Sequence, residues 1–166
     1  MKTTAFFTRI HSWLTGSRLT VDNSVVRELD LDRFLGTWYE VARFDHFFER
    51  GMSQTKANYV LRDDGNIDVI NTGIKDGQPK TAKGKAKLTD IPSLLRVSFF
   101  GPFYSDYRVM LVDADYRYML IGSGDDGYLW ILSRTPQLAD SDRTAILSEA
   151  KSRGYDTEKL IWVKQD

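Results

Sequence analysis

The sequence of 166 residues contains no cysteine. This absence excludes disulfides, thiolate nucleophiles, thiolate metal sites and a thioether-linked lipid anchor. An excess of one charge is also missing, because Lys plus Arg and Asp plus Glu each number 23. No overall field therefore favours nucleic acid as a partner. The chain also lacks any run near the roughly 20 apolar residues that a membrane-spanning helix needs.

The composition that remains is that of a globular protein. Hydrophobic residues make up 42% of the chain and aromatic residues 13%, which is too much apolar surface for a disordered chain. The length fits one domain with a real core. We predict a single domain over residues 31–166, preceded by an extension over residues 1–30.

The first residues do not resemble an export signal, because Arg9 and His11 interrupt any continuous apolar core. Four apolar residues nevertheless recur at helical spacing, namely Phe6, Ile10, Trp13 and Leu14. One interpretation is a short amphipathic helix that lies on a membrane or a partner, and the other is a frayed terminus.

The stretch Gly36–Phe44 predicts a first strand, since it is rich in β-branched and aromatic residues. Trp38 is expected to turn inward and plug one end of a β-structure. Turn signals then recur at 63–66, 75–77, 90–92, 101–102, 113–115 and 125–127. Segments of about eight to ten residues separate them, which predicts eight antiparallel strands in a meander. A helix from Asp140 to Gly154 and a short strand at Leu160–Val163 are expected to follow.

The predicted strands leave unusual space on one face. Residues 80–89 alternate Lys and Thr with small residues, so that Ala82, Gly84 and Ala86 face inward. Because interiors are packed without voids, either large side chains opposite fill this space or a ligand does. The pattern is typical of an all-β fold, an eight-stranded up-and-down barrel with a cavity and a helix on its flank.

The last three predicted strands are apolar on both faces, so we expect the helix to cover their outer face. The residues assigned to that face are Met110, Val112, Met119, Ile121, Leu129 and Ile131.

Three motifs resemble those of the lipocalin family. Gly36-Thr37-Trp38-Tyr39-Glu40 resembles the first-strand motif, and Asp113-Ala114-Asp115-Tyr116-Arg117-Tyr118 resembles the motif between the sixth and seventh strands. Arg134 matches the arginine that lies across the tryptophan in this family, where a guanidinium over an indole is stabilising. The resemblance implies structural roles for Gly36, Trp38, Asp113, Tyr116 and Arg134.

The segments Phe44–Gly51 and Ser98–Tyr104 narrow the resemblance to bacterial lipocalins similar to apolipoprotein D. Members of that group are typically lipoproteins of the outer membrane that bind fatty acids or lysophospholipids. The resemblance therefore suggests the outer membrane or the periplasm as the location. The chain departs from the group because it has neither a lipidation cysteine nor the accompanying signal.

The function that the resemblance implies is binding, storage or transport of one hydrophobic small molecule or single-chain lipid, for membrane maintenance. We expect a monomer or homodimer that needs no cofactor or metal. Alternation assigns the cavity wall to Ala57, Tyr59, Val69, Ala82, Gly84, Ala86, Val97, Phe99, Tyr107, Val109 and Tyr118. Phe47, Phe48 and Met52 are expected to form an adjustable lip, with the polar end of the ligand at the mouth near tyrosine hydroxyls, Asn71 or Arg43.

Two other functions are alternatives. An enzyme would use His46 with Glu40 or Asp45, but a lone loop histidine is more often a surface residue, and we expect no catalytic residues. Strict alternation points Glu40 inward, where it needs a partner unless a bulge turns it outward. A protein-interaction module would use either the row Lys83, Lys85 and Lys87 or the amino-terminal helix as its contact surface. A solvated strand face explains these lysines equally well.

Overall fold

The structure is a computed structural model that describes residues 19–166. Its barrel strands are β1 (Gly36–Phe44), β2 (Ser53–Leu61), β3 (Ile67–Lys75), β4 (Gln78–Leu88), β5 (Leu94–Phe100), β6 (Phe103–Val112), β7 (Tyr118–Gly122) and β8 (Leu129–Ser133). A short helix, α1 (Leu31–Phe34), precedes them, and α2 (Asp140–Ser152) follows. A 3-10 turn at Thr157–Lys159 leads into β9 (Leu160–Trp162).

Each barrel strand is antiparallel to the next, and β1 pairs with both β2 and β8 to close the ring. β9 pairs with β1 outside the ring, where Ala42 lies opposite Trp162. The predicted fold is confirmed: an eight-stranded antiparallel barrel with one C-terminal helix and a short ninth strand.

β1 changes partners along its length. Its first half, through Tyr39, pairs with β2, and its second half lies between β8 and β9. The register with β8 shifts between Glu40 and Ala42, which marks a β-bulge at Val41. A bulge adds one residue and bends the strand, so that Glu40 and Arg43 both turn toward the interior. Their partners on β8 are the interior residues Leu132 and Trp130.

The apolar side chains form two clusters on the two sides of the barrel wall. The inner cluster lines the barrel interior, and its buried members are Phe34, Trp38, Ala57, Tyr59, Ile67, Val69, Ala86, Leu95, Val109, Met119, Ile121 and Leu132. The outer cluster lies between the wall and α2, from which Ile146 and Ala150 are buried. The guanidinium of Arg143 lies 3.6 Å from the ring centroid of Trp162, which ties α2 to β9.

The direction of the side chains on β7 corrects the alternation used above. The sequence places Tyr118 inside and Met119 and Ile121 outside, and the structure shows the reverse. The cause is a bulge at Met110, where the register between β6 and β7 shifts. The extra residue reverses the alternation, so Val112 also packs inside rather than outside.

The closed end of the barrel is sealed by Trp38, which is fully buried and donates from its indole nitrogen to the carbonyl of Phe34 at 2.7 Å. The guanidinium carbon of Arg134 lies 3.7 Å from the ring centroid of Trp38. Its nitrogens also donate to the carbonyls of Arg33, Leu35 and Thr37. Gly36 has a φ of +95°, and a Cβ there would lie 3.4 Å from the guanidinium. Glycine therefore suits both the backbone and the close approach.

The second motif holds the same end together. Asp113 accepts hydrogen bonds from the backbone of Asp115 and Arg117, and its carboxylate lies 2.9 Å from the guanidinium of Arg117. Tyr116 has a φ of +55°, and its hydroxyl accepts a hydrogen bond from the backbone N–H of Asp30 at 2.7 Å. The turn thus fixes the segment that leads into α1.

Residues 19–30 run along the barrel before α1. The backbone N–H of Val26 donates to the carbonyl of Val109 at 2.9 Å, and Val26 and Leu29 pack against the inner cluster. The amphipathic helix predicted around residues 6–14 lies outside the described residues, and the boundary at residue 30 stays a prediction. In the part of the chain from residue 19 onward, no helix is both long and apolar enough to cross a membrane.

Candidate functional site

The open end of the barrel is formed by the loops after β1, β3, β5 and β7. Four phenylalanines are exposed there and form what we call the aromatic rim: Phe47 (81% exposed), Phe48 (59%), Phe100 (63%) and Phe103 (77%). The rings of Phe48 and Phe100 lie 6.0 Å apart, although they come from opposite sides of the barrel. Residues 45–52, the mouth loop, therefore reach across the opening.

Met52, at the end of the mouth loop, packs inside the barrel. A Cβ on Gly73 of β3 would lie 2.6 Å from Met52 Cε and 2.9 Å from Thr55 Cγ2. Glycine at this position allows both side chains to lie against β3. The structure thus places two of the predicted lip residues, Phe47 and Phe48, at the rim and the third, Met52, beneath them.

Most of the predicted wall residues lie in the inner cluster. These are Ala57, Tyr59, Val69, Ala86, Val97, Phe99, Tyr107 and Val109. Ala82 is exposed, because β4 pairs with β5 only over Lys85–Leu88 and its first half extends beyond β5. Tyr118, as described above, lies outside the barrel.

The space beside Gly84 is filled by the protein itself. A Cβ on Gly84 would lie 2.8 Å from Phe99 Cδ1 and 2.6 Å from the carbonyl oxygen of Ser98. At this position a large side chain, rather than a ligand, occupies the room that the small residue leaves. Val97 and Phe99 nevertheless remain partly exposed although they belong to the inner cluster, so this part of the interior is open to solvent.

The lower interior is aromatic and uncharged. The ring of Phe34 stacks on that of Tyr59 with the centroids 4.7 Å apart, and the hydroxyls of Tyr59 and Tyr107 lie 2.9 Å apart. Burial raises the pKa of both phenols, so they stay neutral. This region suits the apolar end of a ligand.

The upper interior holds a group of buried polar side chains that we call the polar cluster: Glu40, Arg43, His46, Glu49 and Trp130. The guanidinium of Arg43 lies 3.0 Å from Glu40 Oε1. It also donates to the carbonyls of Glu49 at 2.7 Å and Met52 at 3.2 Å. Arg43 thus fastens the mouth loop to β1.

The side chain of Glu49 forms the second half of this attachment. One of its oxygens lies 2.7 Å from His46 Nε2 and accepts a hydrogen bond from the indole N–H of Trp130 at 3.1 Å. The ring of His46 is itself surrounded by aromatic rings, those of Phe48, Tyr128 and Trp130, with centroids 5.4 to 6.0 Å away.

The two carboxyl groups of the polar cluster differ in charge. Burial and the adjacent Glu49 raise the pKa of Glu40 well above its ordinary value of 4.5, although Arg43 acts to lower it. Burial also acts to raise the pKa of Glu49, but hydrogen bonds from His46, Glu40 and Trp130 outweigh it and lower the pKa to about 2. These opposite shifts favour a proton on Glu40 and a negative charge on Glu49. Two buried carboxylates beside a single guanidinium would cost more.

The surroundings of His46 bear on the enzyme alternative. Its hydrogen-bond partner is Glu49 rather than Glu40 or Asp45, and Asp45 instead pairs with Arg50 at 3.0 Å. Among residues 19–166, no hydroxyl group is hydrogen-bonded to His46, so the contact orients the ring without supplying a nucleophile. The same residues contain no group of three or more His, Asp or Glu side chains placed to hold a metal ion.

Sequence reasoning missed Glu49 and Trp130 as site residues. The one sequence feature that could point to Glu49 is its position directly after Phe47 and Phe48 in a loop. The orientation of Glu40 is now settled: it faces inward, as strict alternation suggests, and has a partner. Arg43 joins it only because of the bulge at Val41, which an alternating pattern does not reveal.

The predicted lysine row, Lys83, Lys85 and Lys87, is exposed on the outside of β4. A surface cleft of about 650 Å³ lies beside it, lined by Lys87, Arg96, Pro102, Phe103, Tyr104 and Ser105. The ammonium of Lys87 lies 4.3 Å from the ring centroid of Tyr104, and Arg96 pairs with Asp106. The cations of this cleft therefore already have partners.

Replacement of Glu40 by Gln tests the shared proton. Gln can still donate to Glu49 and accept from Arg43, but it cannot ionise. The pKa of Glu40 is raised in the folded state, so above pH 4.5 the folded protein keeps a proton that the unfolded chain loses. The free energy of unfolding therefore falls as the pH rises from 4.5 toward the folded-state pKa. We expect the free energy of unfolding, measured with urea, to fall less for E40Q than for wild type between about pH 5 and about pH 8.

Asp68→Asn, which changes an exposed carboxylate, provides the control for this experiment. Glu49 does not interfere, because a lowered pKa affects stability only as pH falls below 4.5. Equal pH dependence for wild type and E40Q would contradict a protonated Glu40.

Comparison with known proteins agrees with this geometry. The family model of the lipocalin-like domain matches residues 29–165. The chain is 51% identical to the outer membrane lipoprotein Blc of Citrobacter freundii, over 86% of this chain and 82% of that protein. It is 32% identical to mouse (Mus musculus) apolipoprotein D, over 85% and 79% of the two chains.

A solved structure shows the same fold at low sequence similarity. Insecticyanin from the tobacco hornworm Manduca sexta superposes with a TM-score of 0.69 at 21% identity, over 85% of this chain and 83% of that one. The matched domain, the relatives and the barrel agree with the motifs read from the sequence. The chain belongs to the lipocalin family, in the group of the bacterial lipocalins, a family whose barrels bind small hydrophobic molecules.

Proposed function

We propose that the protein binds one single-chain lipid, such as a fatty acid or a lysophospholipid, inside the barrel and stores or transports it for membrane maintenance. The observation that supports this most is the inner cluster. This cluster is apolar. The interior that it lines is closed at one end by Trp38 under Arg134, and its other end lies beneath the mouth loop. An acyl chain with its end near Tyr59 and Tyr107 would contact apolar side chains along its length.

The energetics permit useful binding. Burial of about sixteen methylenes at about 0.8 kcal/mol each contributes about 13 kcal/mol. The loss of translational and rotational freedom costs at least about 4 kcal/mol. The difference is close to the roughly 8 kcal/mol of a micromolar complex. Entry requires the mouth loop to move, because Phe48 and Phe100 meet across the opening.

We propose that the protein is not an enzyme. His46 is held by Glu49 in the attachment of the mouth loop, which gives it a structural task. Neither relative named above carries the name of an enzyme.

A bulky residue inside the barrel should abolish binding. Val97 pairs with Ala86 on the inner face, where a tryptophan would fill the upper interior. We expect V97W to lower the affinity for a fluorescent fatty acid at least tenfold, which corresponds to about 1.4 kcal/mol. Native mass spectrometry of the wild-type protein should also recover one single-chain lipid per barrel.

Lys85→Trp is the matched control, because Lys85 lies in the same strand pair, next to Ala86, but faces outward. K85W should bind as the wild type does. Equal affinities of V97W and wild type, with both variants folded by circular dichroism, would place the ligand outside the barrel and contradict the proposal.

We also propose that the aromatic rim touches a lipid surface when the ligand is exchanged. Four exposed phenylalanines at one end of a barrel form an apolar surface that soluble proteins seldom leave without a partner. A location at the outer membrane or in the periplasm would agree with this contact, and the relative from Citrobacter freundii is named an outer membrane lipoprotein.

Substitution of the two most exposed rim residues tests this contact. The double variant F47S/F103S should bind phosphatidylcholine vesicles at least tenfold more weakly in a sedimentation assay, because each phenylalanine contributes about 1.5 to 3 kcal/mol when it leaves water. Ile91→Ser, an exposed apolar residue at the closed end, should change nothing. Vesicle binding that is absent in the wild type, or unchanged in F47S/F103S, would refute the contact.

A further inference from the structure

Three buried polar atoms in the upper interior have no hydrogen-bond partner within the described residues. They are Arg43 Nε, His46 Nδ1 and Thr55 Oγ1. The side chains that carry them are at least nine-tenths buried. Buried polar atoms are rarely left unpaired, since each costs about 1 to 3 kcal/mol. Three in one region therefore call for an explanation.

The three atoms belong to one neighbourhood. Arg43 and His46 both contact Glu49, through its carbonyl and its carboxylate respectively. Arg43 also contacts the carbonyl of Met52, whose side chain lies with that of Thr55 against Gly73. Gln165, whose amide oxygen is a fourth atom without a partner, bridges the carbonyls of Glu40 and Thr55 in the wall.

The side chain of Thr55 points into the barrel. Gly73 lies on the same face of β3 as Val69, a member of the inner cluster, because the two are four residues apart on one strand. The methyl carbon of Thr55 lies 2.9 Å from the position that a Cβ of Gly73 would take on this inner face. The hydroxyl of Thr55, a residue that is 3% exposed, is therefore an interior group, and it has no hydrogen-bond partner among residues 19–166.

We propose that Thr55, Arg43 and His46 form a subsite that binds an oxygen atom in the head group of the lipid, under the mouth loop. This inference rests on the proposed function and adds the position and chemistry of the head group. Arg43 Nε is a donor, and the hydroxyl of Thr55 can donate or accept. Such groups bind neutral and charged oxygens alike, so the subsite suits a hydroxyl, an ester or a carboxyl oxygen.

The position of the subsite fits the rest of the interior. It lies between the aromatic rim and the apolar lower barrel, which is where the polar end of a chain must lie if its other end reaches Tyr59 and Tyr107. A chain bound in this way would be enclosed by the mouth loop, head group included. Exchange would then require the loop to open.

Thr55→Val is the sharpest test, because it replaces a hydroxyl without a hydrogen-bond partner in the described part of the chain by a methyl group of similar size. We would compare a fatty alcohol, the fatty acid and the 1-chloroalkane of one chain length, each displacing a fluorescent apolar probe from the barrel. The wild type should bind the two oxygen-bearing ligands about tenfold more tightly than the chloroalkane. In T55V this ratio of affinities should be about fivefold smaller, because one hydrogen bond contributes about that factor. Affinity for the chloroalkane should not change.

Thr81→Val is the matched control, since Thr81 is an exposed residue of β4 on the outward face. T81V should keep the wild-type preference. If only the alcohol or only the acid is favoured, and T55V abolishes that difference, the same subsite is supported for that head group.

Other results would overturn the inference. Equal binding of all three ligands by wild type, or an unchanged preference in T55V, would show that the unpaired atoms serve no head group, while the carrier proposal would stand. Marked destabilisation of T55V would show that the hydroxyl has a partner in the folded protein. Failure of every ligand to bind the wild type would refute the carrier proposal and the subsite together.

Discussion

The bulge at Val41 in β1 is the constraint on which the rest of the structure depends. β1 must pair with β2 to close the ring, with β8 on its other side, and with β9 outside. One strand can do this only if it bends, and an inserted residue supplies the bend. The same insertion turns Glu40 and Arg43 into the barrel together. The bulge at Val41 therefore accounts both for the closure of the barrel and for the polar cluster.

The two ends of the interior are held by arginines in different ways. At the closed end, Arg134 lies over Trp38 and binds carbonyls of the chain around it, which makes a permanent seal. At the open end, Arg43 binds carbonyls of the mouth loop, but it shares this task with the carboxyl groups of Glu40 and Glu49. The open end is thus fastened through ionisable side chains, whereas the closed end is held by a cation over a ring and by backbone carbonyls.

The fold could be read from the sequence because its signals are local. Even spacing of turns, the glycine before Trp38 and the position of Arg134 each follow from residues close in the chain or from a motif. The errors come from bulges. Tyr118 and Met119 were assigned to the wrong faces since the bulge at Met110 reverses the alternation, and a bulge depends on pairing between strands rather than on residue type. Glu49 was missed because its partners come from three different segments.

Prediction of the barrel interior from the sequence has the same limit. The small residues on β4 left open whether side chains or a ligand occupy the space beside them, and the sequence could not say that Phe99 fills the part beside Gly84, because that contact depends on how β5 lies against β4.

Lipid binding inside the barrel is tested most directly by NMR, with an isotope-labelled fatty acid added to the protein. Intermolecular NOEs are expected from the acyl methylenes to the side chains of Val69, Val97 and Leu132. NOEs only to Phe47 and Phe103, or to no residue, would contradict binding inside the barrel.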